Sequence, residues 1–304
     1  MSKKFINPMD YIYPLNVNGL ECRYLFIPAR SKRIKSNLLI IYDLNSNIEK
    51  WFGYLTALSR FSNITMIDLP GLGGADSFFS IGICPNLDNM VSYLSSVIKL
   101  KFRRKKLSIL GIGYGFAVVT KMLQDNPDIL SKVNNLISIN GYTHFEDFNL
   151  NLFNKIKIYL NYIYSKSKLM TSMVASIRKS NYYLVKKYDD NFFKKYLGVK
   201  FPYLKQFAID LDKSIDFRTE NVIKFDVLKL DLCSHNKINK PLWVMNVAPS
   251  KKYLSNRAEQ HLKVIYSNYN YLNLRIRKMP YLINDEKFGL KLIPHKLKDI
   301  LKKQ

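Results

Sequence analysis

Residues Leu107 to Val119 read LSILGIGYGFAVV. The stretch opens as an apolar run, the kind that suits a strand buried on both faces. It continues as a turn with glycine at alternate places and ends as the start of an apolar helix. Strand, tight turn and helix in that order make the G-x-S-x-G elbow, whose sharp turn lifts one side-chain oxygen to the top of a sheet. Here the elbow is Gly111-Ile112-Gly113-Tyr114-Gly115, and its centre is Gly113. Glycine has no side chain with which to attack, so the reading predicts a turn that is kept and a nucleophile that is missing.

Outward from the elbow, strand and helix patterns alternate. Asn37 to Tyr42 (NLLIIY), Asn63 to Asp68 (NITMID) and Leu136 to Asn140 (LISIN) are further buried-strand runs. Ile48 to Phe61 has helical spacing through Trp51, Leu55 and Leu58, and Leu87 to Leu100 is amphipathic. The helix after the elbow runs to about Gln124 and is closed by Asn126-Pro127, since proline cannot continue it. Residues 11 to 30 read as two short strands around Asn16-Val17-Asn18-Gly19. This alternation predicts an α/β fold, a mostly parallel central sheet flanked by helices.

The period changes at Phe145. From there to about Cys233 the chain is rich in Lys, Tyr and Phe, and its pattern is mostly helical. Strand patterns resume at Pro241 to Val247 (PLWVMNV) and Tyr271 to Ile276 (YLNLRI), and a terminal helix spans Pro294 to Leu301. The expected organisation is therefore a core formed by residues 1–144 and 236–304, with a helical cap inserted as residues 145–235.

The chain has 304 residues, 47% of them hydrophobic, which is enough for a substantial core. Met1-Ser2-Lys3-Lys4-Phe5 lacks the apolar centre of a signal peptide. The apolar stretch Leu107 to Thr120 falls short of the roughly 20 residues needed to span a bilayer. A cytoplasmic protein, at most peripheral to a membrane, is the expectation. Cys22, Cys84 and Cys233 have neither metal-ligand nor redox spacing, so no disulfide framework, metal or cofactor is expected. The net charge is +25, which favours weak attraction to an anionic membrane surface or nucleic acid. Arg30 to Lys35 and Lys99 to Lys106 are its densest clusters. Lysine is also scattered along the whole chain beside many Asn, Ile and Tyr, a pattern that coding bias alone produces.

Taken together, these residues resemble the α/β-hydrolase superfamily, in the branch with a helical cap between the sixth and seventh strands. The resemblance covers roughly residues 15 to 303. Tyr42-Asp43, ahead of Trp51, stands in the place of the family's His-Gly. Asp68-Leu69-Pro70-Gly71-Leu72-Gly73 matches its D-x-P-G-x-G turn, Gly111 to Gly115 matches its elbow except at the centre, and Lys240 to Val244 looks like the strand that follows the cap. The resemblance implies the α/β-hydrolase fold and a Ser-His-Asp triad, and this chain departs at each triad position. Gly113 holds the nucleophile's place, Val247-Ala248-Pro249-Ser250 the acid's, and Arg277-Lys278-Met279-Pro280 the histidine's. The oxyanion amides implied are those of Leu44 and Tyr114, which any residue but proline supplies, so a carbonyl or other anion is expected to find donors there.

Catalytic groups from elsewhere are few. His144, with Glu146 and Asp147 beside it, is a candidate general base on water; the plainer reading is a polar helix start. His295, before the terminal helix, is a candidate late histidine, though a base without a nucleophile or metal is a weak catalyst. His235 and His261 read as surface residues, and Ser108 lies within its strand. Glycine at the elbow relieves a strained backbone that costs any other residue about 1–3 kcal/mol. That favours a chain released from catalysis.

Phe153 to Tyr203 interleaves basic and aromatic residues, among them Lys155, Lys157, Tyr159, Tyr162, Lys166 and Lys168. Such a cap is either an ordinary set of amphipathic helices with lysines in water or an adhesive face for a membrane or partner. Three functions stay open: a non-catalytic pseudo-hydrolase holding a small molecule or protein, an acyl or ester hydrolase using other groups, and a basic surface protein.

Overall fold

The computed structural model describes residues 7–188, 202–246, 253–274, 280, 282–283 and 285–302. Among these residues eight strands form one sheet in the order β1-β2-β4-β3-β5-β6-β7-β8. β1 (Ile12–Val17) and β2 (Leu20–Ile27) form an antiparallel hairpin, and β2 is antiparallel to β4 (Asn63–Ile67). From there the sheet is parallel through β3 (Asn37–Ile41), β5 (Leu107–Ile112), β6 (Val133–Ile139), β7 (Ile238–Met245) and β8 (Tyr266–Tyr271). The expected α/β architecture is the observed one.

The central strands are apolar throughout because helices cover both faces. Every residue of β5 is buried, as are Leu38 to Ile41 of β3. The helix Leu87–Lys101 turns Met90, Leu94, Val97 and Ile98 inward at helical spacing, caps its start with the Asn86 side chain on the Asn89 amide, and places Lys99 and Lys101 in its last turn. Phe52–Leu58 connects β3 to β4, and Tyr114–Asp125 with Pro127–Lys132 connects β5 to β6. Ser255–Ile265 connects β7 to β8.

Between β6 and β7 the chain leaves the sheet for the helices Leu152–Lys166, Lys168–Lys179, Asn181–Lys187, Pro202–Lys213 and Phe217–Val227. The glycine turn after β4 docks the last of them. The Asp216 amide donates to the Gly71 carbonyl at 2.9 Å, and Ser77 Oγ donates to Asp216 Oδ2 at 2.9 Å. Pro70 and Gly71 are buried under that contact. No helix of the described residues is long and apolar enough to cross a membrane.

One strand differs from expectation. The last is Tyr266–Tyr271, earlier than the YLNLRI stretch. It is an edge strand with half its residues exposed, so its sequence, YSNYNY, carries no apolar run. The stretches Val247 to Ser250 and Arg277 to Met279 lie outside the described residues.

Candidate functional site

The elbow is built as its sequence suggests. β5 ends at Ile112, Gly113 turns with φ 51° and ψ −119°, and the helix Tyr114–Asp125 begins at once. Gly111 gives room to the Phe116 backbone and Gly115 to the Ile41 carbonyl, which brings the helix start against the end of β3. A side chain at 113 would point into the space above the sheet, and that space is filled. A Cβ built there falls onto the carboxyl group of Asp43, two residues beyond β3.

Asp43 holds both elbow amides. Its Oδ1 accepts from the Leu44 N–H at 2.8 Å and from the Tyr114 N–H at 2.8 Å. These are the two donors expected to stand open for a carbonyl or anion, and both donate to this carboxylate. Burial raises the Asp43 carboxyl above the usual carboxylate range, while the Tyr114 and Leu44 amides and Lys50 pull the other way. Lys50 is lowered by its own burial, with Asp43 opposing.

The D-x-P-G-x-G turn is a separate polar knot. Asp68 is fully buried and ion-paired to Arg23 Nε, and it accepts from Tyr42 Oη at 2.6 Å and from the Gly74 amide at 2.9 Å. Arg23 also grips Glu49 bidentately, at 2.6 and 2.9 Å.

Beside Leu44 a cleft of about 370 Å³ opens between the strand ends and the cap. Lys50, Arg178, Lys187 and Lys224 line it, with Asp212 and Glu220 as the acids. Asp212 takes Lys187 at 2.5 Å and Tyr188 Oη at 3.1 Å; Glu220 takes Arg178 at 3.3 Å and also Lys224. Arg178, Lys187 and Lys224 pair with these two acids and Lys50 faces Asp43, which leaves the lining with one cation in excess.

The histidine candidates part company. His295 is exposed on the first turn of the last helix. His144 caps the short turn Phe145–Asp147, its Nδ1 accepting the Glu146 amide at 3.2 Å. Asp147 is fully buried, and its Oδ2 accepts from the Thr143 and His144 amides at 2.9 and 3.1 Å. Its Oδ1 bonds His261 Nδ1 at 2.6 Å, and the His144 and His261 rings lie 4.3 Å apart. His261 is thus a part-buried member of a cluster, where its sequence suggested a surface residue. Neither Asp43 nor Gly113 is among the hydrogen-bond or ring partners of that cluster.

No protein-family model matches the chain, and no curated protein matches it in sequence. Solved structures do. A putative lipase from Acinetobacter baumannii AYE superposes with a TM-score of 0.66 at 16% identity, covering 96% of this chain and 91% of its own. The Cif epoxide hydrolase from Acinetobacter nosocomialis gives 0.64 at 11% identity, covering 92% and 87%. The enol-lactonase from Burkholderia xenovorans LB400 gives 0.62 at 12% identity, covering 86% and 91%. At these identities the likeness establishes the architecture alone: this chain has the α/β-hydrolase fold.

Proposed function

We propose that this protein is a non-catalytic member of its fold class that binds a small anionic molecule in the cleft beside Leu44. One observation carries the reading. The carboxylate of Asp43 occupies the elbow where a nucleophile would stand, and it takes both amides that would steady an oxyanion. A donor pair already satisfied by a fixed anion has nothing to give to a second one in a transition state. Among the described residues no histidine shares a hydrogen bond or ring contact with Asp43 or Gly113. The cleft retains the shape and size of a ligand site, and its basic excess suits a carboxylate or phosphate.

Hydrolysis of a panel of chromogenic acyl esters tests the first half. Wild type, Gly113→Ser and the double variant Asp43→Gly/Gly113→Ser are each expected to stay at the level of a mock-purified control. Turnover by the wild type overturns the reading and favours an acyl hydrolase working through other groups. For the second half, thermal shifts are measured with small carboxylates and phosphates. A saturable shift that weakens in Lys224→Ala supports the cleft; no shift with any of them counts against it.

A second reading, compatible with the first, rests on the outer face of the cap. Leu152, Phe153 and Leu169 are 73–74% exposed, and Met173 and Ile177 are exposed beside them. Lys155, Lys157, Lys168 and Lys179 lie on the same two helices. Contiguous exposed apolar groups among lysines suit the surface of an anionic bilayer. Co-sedimentation with vesicles containing phosphatidylserine is expected, and neutral vesicles should bind less. Leu169→Glu should reduce binding at any salt. Retention of nucleic acid in place of vesicles, lost between about 50 and 200 mM salt, would assign the charge to a different partner.

A further inference from the structure

We propose that His144, Glu146 and His261 form a binding site for a divalent transition ion of the zinc type. The ligand atoms that these residues offer all lie within 4.8 Å of one another. Two imidazoles and a carboxylate are a donor set that suits such an ion, with a position left for water or another ligand.

The surroundings hold these groups in place. Segment 143–148 is clamped on both sides: the Phe145 amide donates to the Leu230 carbonyl at 2.8 Å, the Leu232 amide to the Thr143 carbonyl at 3.0 Å, and the Leu254 amide to the Asp147 carbonyl at 2.8 Å. His261 arrives from the helix Ser255–Ile265. Its partner Asp147 is fully buried, with one oxygen already fixed by two backbone amides. The other oxygen, 2.6 Å from His261 Nδ1, fixes that nitrogen as the donor and leaves Nε2 with a free lone pair. A carboxylate that orients a histidine so that its far nitrogen faces a metal is a recurring support for such sites. His144 holds its Nδ1 on the Glu146 amide at 3.2 Å and its Nε2 4.0 Å from Asp231 Oδ1, and offers one of these two nitrogens to the ion. Glu146 is exposed, so an ion enters from solvent without any opening of the core.

This site is separate from the cleft beside Leu44, and its test does not depend on whether the protein is an enzyme. The full chain is stripped with chelator and titrated with Co²⁺, following visible absorption, and with Zn²⁺ by calorimetry. One equivalent is expected to bind, with the absorption of a nitrogen- and oxygen-ligated ion. His261→Ala and His144→Ala should each weaken it at least tenfold, while His295→Ala, at an exposed histidine on the last helix, should leave it unchanged. Asp147→Asn should weaken binding roughly tenfold or more. Because Asp147 is buried, its variant is scored only alongside an unchanged circular dichroism spectrum, and Glu146→Gln serves as the exposed substitute with a smaller expected loss. Non-saturable binding, or binding that survives both His144→Ala and His261→Ala, overturns the site.

Discussion

β3 and β4 lie side by side and parallel, and each is followed closely by an aspartate seated against a glycine. Asp68, directly after β4, is pressed against Gly73, whose φ is +66°. Asp43, just beyond β3, is pressed against Gly113, whose φ is +51°. In both places a Cβ on the glycine would overlap the carboxyl group, and both glycines hold backbone angles that other residues resist. The partners differ. Asp68 meets a guanidinium, a tyrosine hydroxyl and an amide, and it ties β2, β3 and β4 into one knot. Among the described residues Asp43 meets two amides through one oxygen, with Lys50 as the neighbouring counter-charge. Asp68 is tied on all sides, whereas Asp43 is held through one oxygen by a pair of amides, one of them from Leu44, which lines the cleft.

The contrast breaks first at Asp68. Asp68→Ala strips a part-buried Arg23 of one partner and leaves Tyr42 Oη without its acceptor. Removing one side of a buried pair costs about 3–5 kcal/mol; because Arg23 keeps Glu49, about 3 kcal/mol is expected, read as a lowered urea midpoint at unchanged slope. The effect at the elbow is smaller and conditional. Gly113→Ser is expected to destabilise by about 2 kcal/mol, partly backbone strain and partly displacement of Asp43. In an Asp43→Gly background the second part vanishes, so the double-mutant cycle should show a coupling of about 1 kcal/mol. Strict additivity would mean that the carboxylate does not occupy the elbow.

Much of this was legible in the sequence for a plain reason. Parallel strands buried on both faces announce themselves as unbroken apolar runs, so NLLIIY, NITMID and LSILGI could be located without any structure. The edge strand YSNYNY could not, because exposed strands need no such run. The elbow turn was readable, but its occupant was not. The signal existed as a pair of residues, Asp43 and Gly113, that the resemblance reads as departures from a glycine and from a nucleophile. Only the adjacency of β3 and β5 turns those two departures into one contact. Asp147 and His261 are 114 residues apart, and no local spacing could bring them together.

A third carboxylate falls between the two and sharpens the comparison through pH. Asp226, on the helix Phe217–Val227, accepts the Leu87 amide at 3.2 Å, and among the described residues no ion pair closes around it. Burial pushes its carboxyl up to about 6; the Leu87 amide and Lys229 pull it down, and Asp88 adds to the rise. The sign follows from linkage. With the folded value above the unfolded one, near 4, the favourable contribution is complete below about pH 4 and is lost as pH rises through about 6. Above that range the folded state carries a charge it disfavours. Asp226→Asn keeps an oxygen for the Leu87 amide and removes that charge. It should therefore stabilise the protein at pH 8, by about 1 kcal/mol once the water reaching a half-buried group is allowed for, and should change nothing at pH 4. Melting curves of the two proteins at pH 4, 6 and 8 check this. A gain of equal size at every pH would trace to packing, and a loss at pH 8 would mean that Asp226, like Asp68, has a cation that compensates its burial.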